Sequence, residues 1–163
     1  MSARLDLPVT LFTTDSAMEI STTRFGSLKI SRSDRICFAN GLPGFEDCRD
    51  WVLLAYRPES ELGWLQSTVW PDLAVPVVNP RVYVSSYDVR LDPAELSPLG
   101  LDSPADAQIL VIVARHGDFL TLNLKAPLAI NLRRQLGRQV LNNGAWSVHH
   151  IVTGRPVMLR KSA

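Results

Sequence analysis

Acidic side chains stop at Asp118. The last 45 residues of this 163-residue chain hold seven basic side chains (Lys125, Arg133, Arg134, Arg138, Arg155, Arg160, Lys161) and no aspartate or glutamate. Residues 1–118 hold all 16 acidic side chains and the other 10 basic ones, so a net charge of +1 divides into −6 followed by +7. Mutual neutralisation on folding is the simplest consequence. The alternative is an acidic surface aimed at a basic partner, with a basic remainder left for something else.

Cysteine and histidine are also scarce. Cys37 and Cys48 stand 11 positions apart with no second pair, His116 falls in a turn signal, and adjacent His149 and His150 point to opposite sides of an extended backbone. This pattern supplies neither a disulfide framework nor a metal-ligand set, and it fits reduced thiols in a cytoplasmic protein. No apolar run approaches the roughly 20 residues that cross a bilayer as a helix. The early Asp6 and Pro8 make residues 1–17 a poor signal peptide.

Catalytic devices are missing as well. Gly41 and Gly44 flank a proline, with neither the lysine nor the following helix of a phosphate loop. Ser67, Ser86 and Ser147 lack a nucleophile elbow. Cys48 beside Asp47 is expected to have a raised pKa, the wrong direction for a nucleophile. Neighbouring Glu46 and Asp47 diverge rather than pair. No cofactor is implied, and binding by surface contact remains.

What the chain does have is apolar material for one core: 46% of residues are hydrophobic and 20% charged. The expected organisation is a flexible leader over 1–17, one domain over 18–152 and a basic tail over 153–163. Apolar residues recur with period two. In "FLTLNL" (119–124) Leu120, Leu122 and Leu124 share a face, and in "LAINL" (128–132) Leu128, Ile130 and Leu132 do so. "ILVIV" (109–113) reads as a central strand covered on both faces. Further strands are expected over 18–23, 28–31, 36–38, 51–56, 64–67, 73–79, 82–91 and 139–141, separated by turn signals that include Leu136-Gly137-Arg138. Pro76 places its strand at an edge or a bulge.

Helix is limited to about one turn at 92–96, capped by Asp92 and stopped by Pro98, and a single turn at 102–106. The fold class expected is mainly β: a single-domain small antiparallel β-barrel with one or two short helices.

Candidate binding residues gather around "ANGLPGFEDCRDW" (39–51). Across 40–72 six carboxylates (Glu46, Asp47, Asp50, Glu59, Glu61, Asp72) face only Arg49 and Arg57, a local balance of −4 beside Phe45 and Trp70. Trp51 and Trp64 fall in strand patterns and are expected in the core. Trp70, in a turn before Pro71-Asp72, suits either an interface anchor or the core. Phe45 likewise either anchors a partner or plugs the barrel end, with Gly41 and Gly44 present for backbone angles. A rival reading is a β-barrel that binds RNA through the basic C-terminal third, with Trp146 as its nearby aromatic.

Several motifs occur in one order: "TRFG" (23–26), "FANGLPGFE" (38–46), "WLQS" (64–67), "PDLAVPVVNP" (71–80), "ILVIV", "TLNLKAPLAIN" (121–131) and "GRQ" (137–139). Together they resemble the bacterial flagellar assembly factor family, FliW, over roughly 18–152. The resemblance implies a small antiparallel β-barrel without catalytic activity, monomeric and cytoplasmic, that binds no nucleic acid directly. It implies two competing partners, newly made flagellin and the RNA-binding translational regulator CsrA. The contact residues expected on that basis are Phe45, Glu46, Asp47, Asp50, Trp70 and Asp72 for CsrA. Pro76 lies in the 73–78 stretch expected to border the flagellin contact.

Overall fold

The computed structural model describes residues 16–55 and 62–153. Arg57, Glu59 and Glu61, and nearly all of the expected leader and tail, lie outside the described residues. The strands are β1 (Met18–Thr22), β2 (Gly26–Ile30), β3 (Arg35–Phe38), β4 (Asp50–Ala55), β5 (Leu62–Ser67) and β6 (Ala74–Val78). Two one-turn helices follow, α1 (Pro80–Tyr83) and α2 (Pro93–Leu96). The chain then forms β7 (Gln108–His116), β8 (Phe119–Leu122), β9 (Leu128–Asn131), β10 (Leu136–Gln139) and β11 (His150–Ile151).

Seven strands close a barrel in the order β7-β6-β5-β4-β3-β10-β9, and β9 returns to β7 through Ile109↔Ala129 and its neighbours. Closure depends on the length of β7. One edge of that strand pairs with β6, while the other pairs with β9 at Gln108–Leu110 and with β8 from Val113 to His116. The pairings are antiparallel except between β3 and β10. The β1–β2 hairpin is a separate two-stranded sheet that packs Ile20 and Ile30 against Val52 of β4.

Side-chain alternation along β7 explains its all-apolar sequence. Leu110 and Ile112 enter the barrel core with Phe38, Trp51, Leu65, Val77, Leu128 and Ile130, while Val111 and Val113 enter a second cluster with Trp64, Tyr87, Leu122 and Leu124. Burying each such side chain is worth about 1.5–3 kcal/mol. Trp51 and Trp64 are core, as their strand patterns suggest.

Three expectations need correction. Residues 82–91 form no strand: Asn79 accepts the Arg81 N–H and Pro80 starts the helical turn α1, after which the chain is irregular. The strand expected at 139–141 is β10, three residues earlier. Gly137 belongs to it, paired with Phe38 and Ile130, and has no side chain because a Cβ there would stand 2.4 Å from the Phe38 ring. Leu132 lies past the end of β9 and is exposed.

The helical turns agree better. Asp92 accepts the Ala94 N–H, but Pro98 continues into a 3₁₀ turn rather than stopping the chain. Ser103 caps the turn Pro104–Asp106. Pro76 opposes Trp64 of β5, while β7 pairs with Val77 and Val78, so the proline occupies a stretch with one neighbour among the described residues.

Candidate protein-binding site

Two connections meet at one end of the barrel, the β3–β4 loop (39–49) and the β5–β6 turn (68–73). The β3–β4 loop is a pair of consecutive turns, with the Phe45 N–H donating to Leu42 O at 2.7 Å and the Cys48 N–H to Phe45 O at 3.0 Å. Gly41 and Gly44 both have positive φ. At Gly41 the need is double, since a Cβ would approach Glu46 Cα to 2.6 Å. Leu42, 1% exposed, fills the core from this loop together with Cys48. Phe45, 37% exposed, does not plug the barrel.

The β5–β6 turn is organised from beneath by Gln66, which is fully buried and donates through Nε2 to Ser67 O and Leu73 O, both at 3.0 Å. Ser67 Oγ accepts the Trp70 N–H at 2.9 Å and the Cys48 thiol at 3.1 Å. Thr68 donates its N–H and its hydroxyl to Asp50 O. These bonds hold Trp70, 41% exposed, beside the Phe45 loop and the start of β4. Val69, 67% exposed, extends the apolar surface.

Carboxylates surround that surface. Glu46 accepts the Gly44 N–H at 3.0 Å, and this bond, with one from its own backbone N–H, holds its carboxyl below the usual range. Asp47 and Asp72 are exposed and Asp50 is half-buried. Burial pushes the Cys48 thiol up against an opposing hydrogen bond to Ser67, and the charge that adds to the rise is Asp50, not Asp47. The direction matches the sequence reading; the cause differs.

Sequence reasoning missed the contribution of the β1–β2 turn. The Thr23 N–H donates to Pro71 O at 3.0 Å and its hydroxyl donates to the Asp72 carboxylate. Arg24 lays its guanidinium 4.0 Å above the Trp64 ring, against which Phe25 packs edge-on. "TRFG" was visible as a motif, but only the fold brings its cation beside the acidic end. The loops that carry six expected residues, Phe45, Glu46, Asp47, Asp50, Trp70 and Asp72, therefore meet at one barrel end. Pro76 does not join them, because it sits on the barrel wall opposite Trp64.

The basic C-terminal third is tied to the acidic part. Arg138 pairs with Glu95 at 3.1 Å and Arg133 with Asp102 at 3.5 Å. Trp146 packs on Tyr87 with ring centroids 4.9 Å apart, instead of presenting a stacking face beside those arginines. Among the described residues no three or more His, Cys, Asp or Glu side chains gather as a metal site, and no helix is long and apolar enough to cross a membrane.

The FliW protein family model matches residues 19–152. The chain belongs to the FliW family. A flagellar assembly factor FliW from Bdellovibrio bacteriovorus is 36% identical over 124 residues, 75% of this chain and 71% of that protein. One from Thermoanaerobacter pseudethanolicus is 32% identical over 82% of this chain and 91% of its own length. A crystal structure of the flagellar assembly factor FliW superposes with a TM-score of 0.77 at 30% identity, covering 84% of this chain and 98% of that one. The barrel described above is thus the FliW fold, and the two loops that meet at one of its ends carry Phe45 and Trp70 together with Glu46, Asp47, Asp50 and Asp72.

Proposed function

We propose that the chain is a non-enzymatic flagellar assembly factor of the cytoplasm, acting as a monomer that binds flagellin and antagonises CsrA. Flagellin translation is thereby coupled to filament assembly. The observation that carries this reading is the convergence of Phe45 and Trp70 with Glu46, Asp47, Asp50 and Asp72 on one barrel end of a FliW-family chain. A basic surface on CsrA complements that end. The aromatics supply most of the affinity, while the carboxylates set encounter rate and partner choice. RNA is opposed by occupied space and by repulsion of phosphate.

Flagellin is assigned to the neighbouring edge around Pro76, where β6 has a single strand partner among the described residues. Competition between the two proteins then reports the demand for filament subunits. The RNA-binding alternative is disfavoured by the ion pairs of Arg133 and Arg138 and by the packing of Trp146.

Calorimetry of the purified protein with CsrA and with flagellin, separately and together, is the test. Binding to each alone and exclusion of one by the other supports the reading. Failure with both at low salt overturns it, and steep salt-dependent affinity for RNA without CsrA binding favours the alternative.

A further inference from the structure

The barrel has a seam at the parallel junction of β3 and β10. β3 and β10 share only two register pairs, Leu136↔Cys37 and Gly137↔Phe38. The chain then turns away from β10, with the Gly41 N–H donating back to Phe38 O. Beyond Gly137, β10 runs on without β3 beside it. A groove of about 590 Å³ opens there, walled by Asn40, Pro43 and Glu46 on one side and by Glu95, Pro98 and Leu99 on the other.

The floor of the groove is extended backbone. The Val140 N–H donates to Pro127 O at 2.9 Å and the Asn142 N–H to Lys125 O at 2.8 Å. Peptide groups alternate in direction along such backbone, so those of Gln139 and Leu141 face the opposite side, where β3 has departed. The Gln139 side chain is held from within the fold. Its Nε2 donates to Ala126 O, while its Oε1 is buried with no partner among the described residues. Leu141 offers an apolar side chain that is 51% exposed. Glu95 is matched by Arg138, whereas Glu46 has no ion pair among the described residues.

The geometry points to this groove as a strand-addition site for an extended basic segment of the protein that docks on the acidic end. The inference rests on the proposed function, since it deepens the same contact. Main-chain groups at Gln139 and Leu141, without a partner strand among the described residues, select a backbone. The unmatched Glu46 carboxylate selects lysine or arginine on the segment as it passes the rim. Acidic or helical segments lack this fit.

Amide hydrogen exchange of the full chain, alone and mixed with CsrA, tests the site. The expected result is at least tenfold slower exchange of the Gln139 and Leu141 amides in the complex. Leu141→Arg alters an exposed side chain and is expected to weaken the complex at least tenfold with an unchanged Tm. If CsrA binds but leaves both amides as they were, and Leu141→Arg binds as well as the parent, the groove is overturned while the proposed function stands. If the unaltered protein does not bind CsrA at all, both fall together.

Discussion

The Cys48 thiol donates to Ser67 Oγ at 3.1 Å, and the same hydroxyl oxygen accepts the N–H groups of Val69 and Trp70. One small side chain therefore fastens the acidic loop to the aromatic turn. Ser67→Ala takes the acceptor from both N–H groups and is expected to cost about 1–3 kcal/mol of stability by urea denaturation. Binding of CsrA should weaken as well, because Trp70 loses its tether. A variant as stable as the parent would remove the hydroxyl from this account.

Aromatic truncation is expected to outweigh loss of charge. Phe45→Ala and Trp70→Ala each remove an exposed ring at the centre of the candidate surface, with an expected loss of about 2 kcal/mol or more in CsrA affinity by calorimetry. Glu46→Gln removes charge from a solvated group and should lose less. The reverse order of effects would shift the anchor to the carboxylates.

Steering is a separate effect, visible in rates. The double change Glu46→Gln with Asp47→Asn is expected to slow CsrA association and flatten its salt dependence, leaving dissociation nearly unchanged. Rapid-mixing kinetics at low and high salt read both. Association as fast as that of the parent at low salt would discard the steering role.

The barrel was legible in the sequence because period-two patterns are local, and β7 and β8 needed no partner to be recognised. Misreadings arose where a distant contact decided the outcome. Gly137 looks like a turn glycine, yet its missing side chain makes room for the Phe38 ring from β3. Leu42 and Phe45 are equally apolar in sequence; the left-handed conformation at Gly41 is part of the turn that buries one and exposes the other. Residues 82–91 have strand-like composition, but the Asn79 cap and Pro80 outweighed it. The grouping of six candidate residues was suggested by acidic clustering, whereas the support from Gln66, Ser67 and Thr23 exists only after folding.

Tyr87 gives the fold an alkaline limit. Its O–H donates to Leu124 O at 2.9 Å and accepts from Asn142 Nδ2 at 3.2 Å. Burial pushes the phenol up, the Asn142 bond opposes this, and the Asp88 charge adds to it. The folded value lies above the unfolded one, so the stability this group confers is complete below the unfolded value and drains away as pH rises through the folded one. Denaturant midpoints are expected to fall above about pH 10. Tyr87→Phe should flatten that decline and cost about 1–2 kcal/mol near neutrality, because Leu124 O and Asn142 lose a partner. An identical alkaline decline in both proteins would assign it to another group.

Gly41 and Gly44 separate backbone strain from crowding within one loop. Both have positive φ, 63° and 86°, so alanine at either position meets a left-handed penalty of about 1–2 kcal/mol. Nothing lies within 4 Å of a Cβ at Gly44. At Gly41 the new carbon would meet Glu46 Cα, Phe45 O and Glu46 O at 2.6–2.7 Å, and these are main-chain atoms that move only with the loop. Gly41→Ala is therefore expected to lose a further 1–3 kcal/mol, roughly the cost of overpacking, and to lose CsrA binding because Phe45 and Glu46 are displaced. Gly44→Ala should keep that binding, since the N–H that holds the Glu46 carboxylate survives the change. Thermal unfolding and calorimetry of the two variants side by side decide it, and equal losses in both would mean that the loop accommodates the extra carbon without moving the surface it carries.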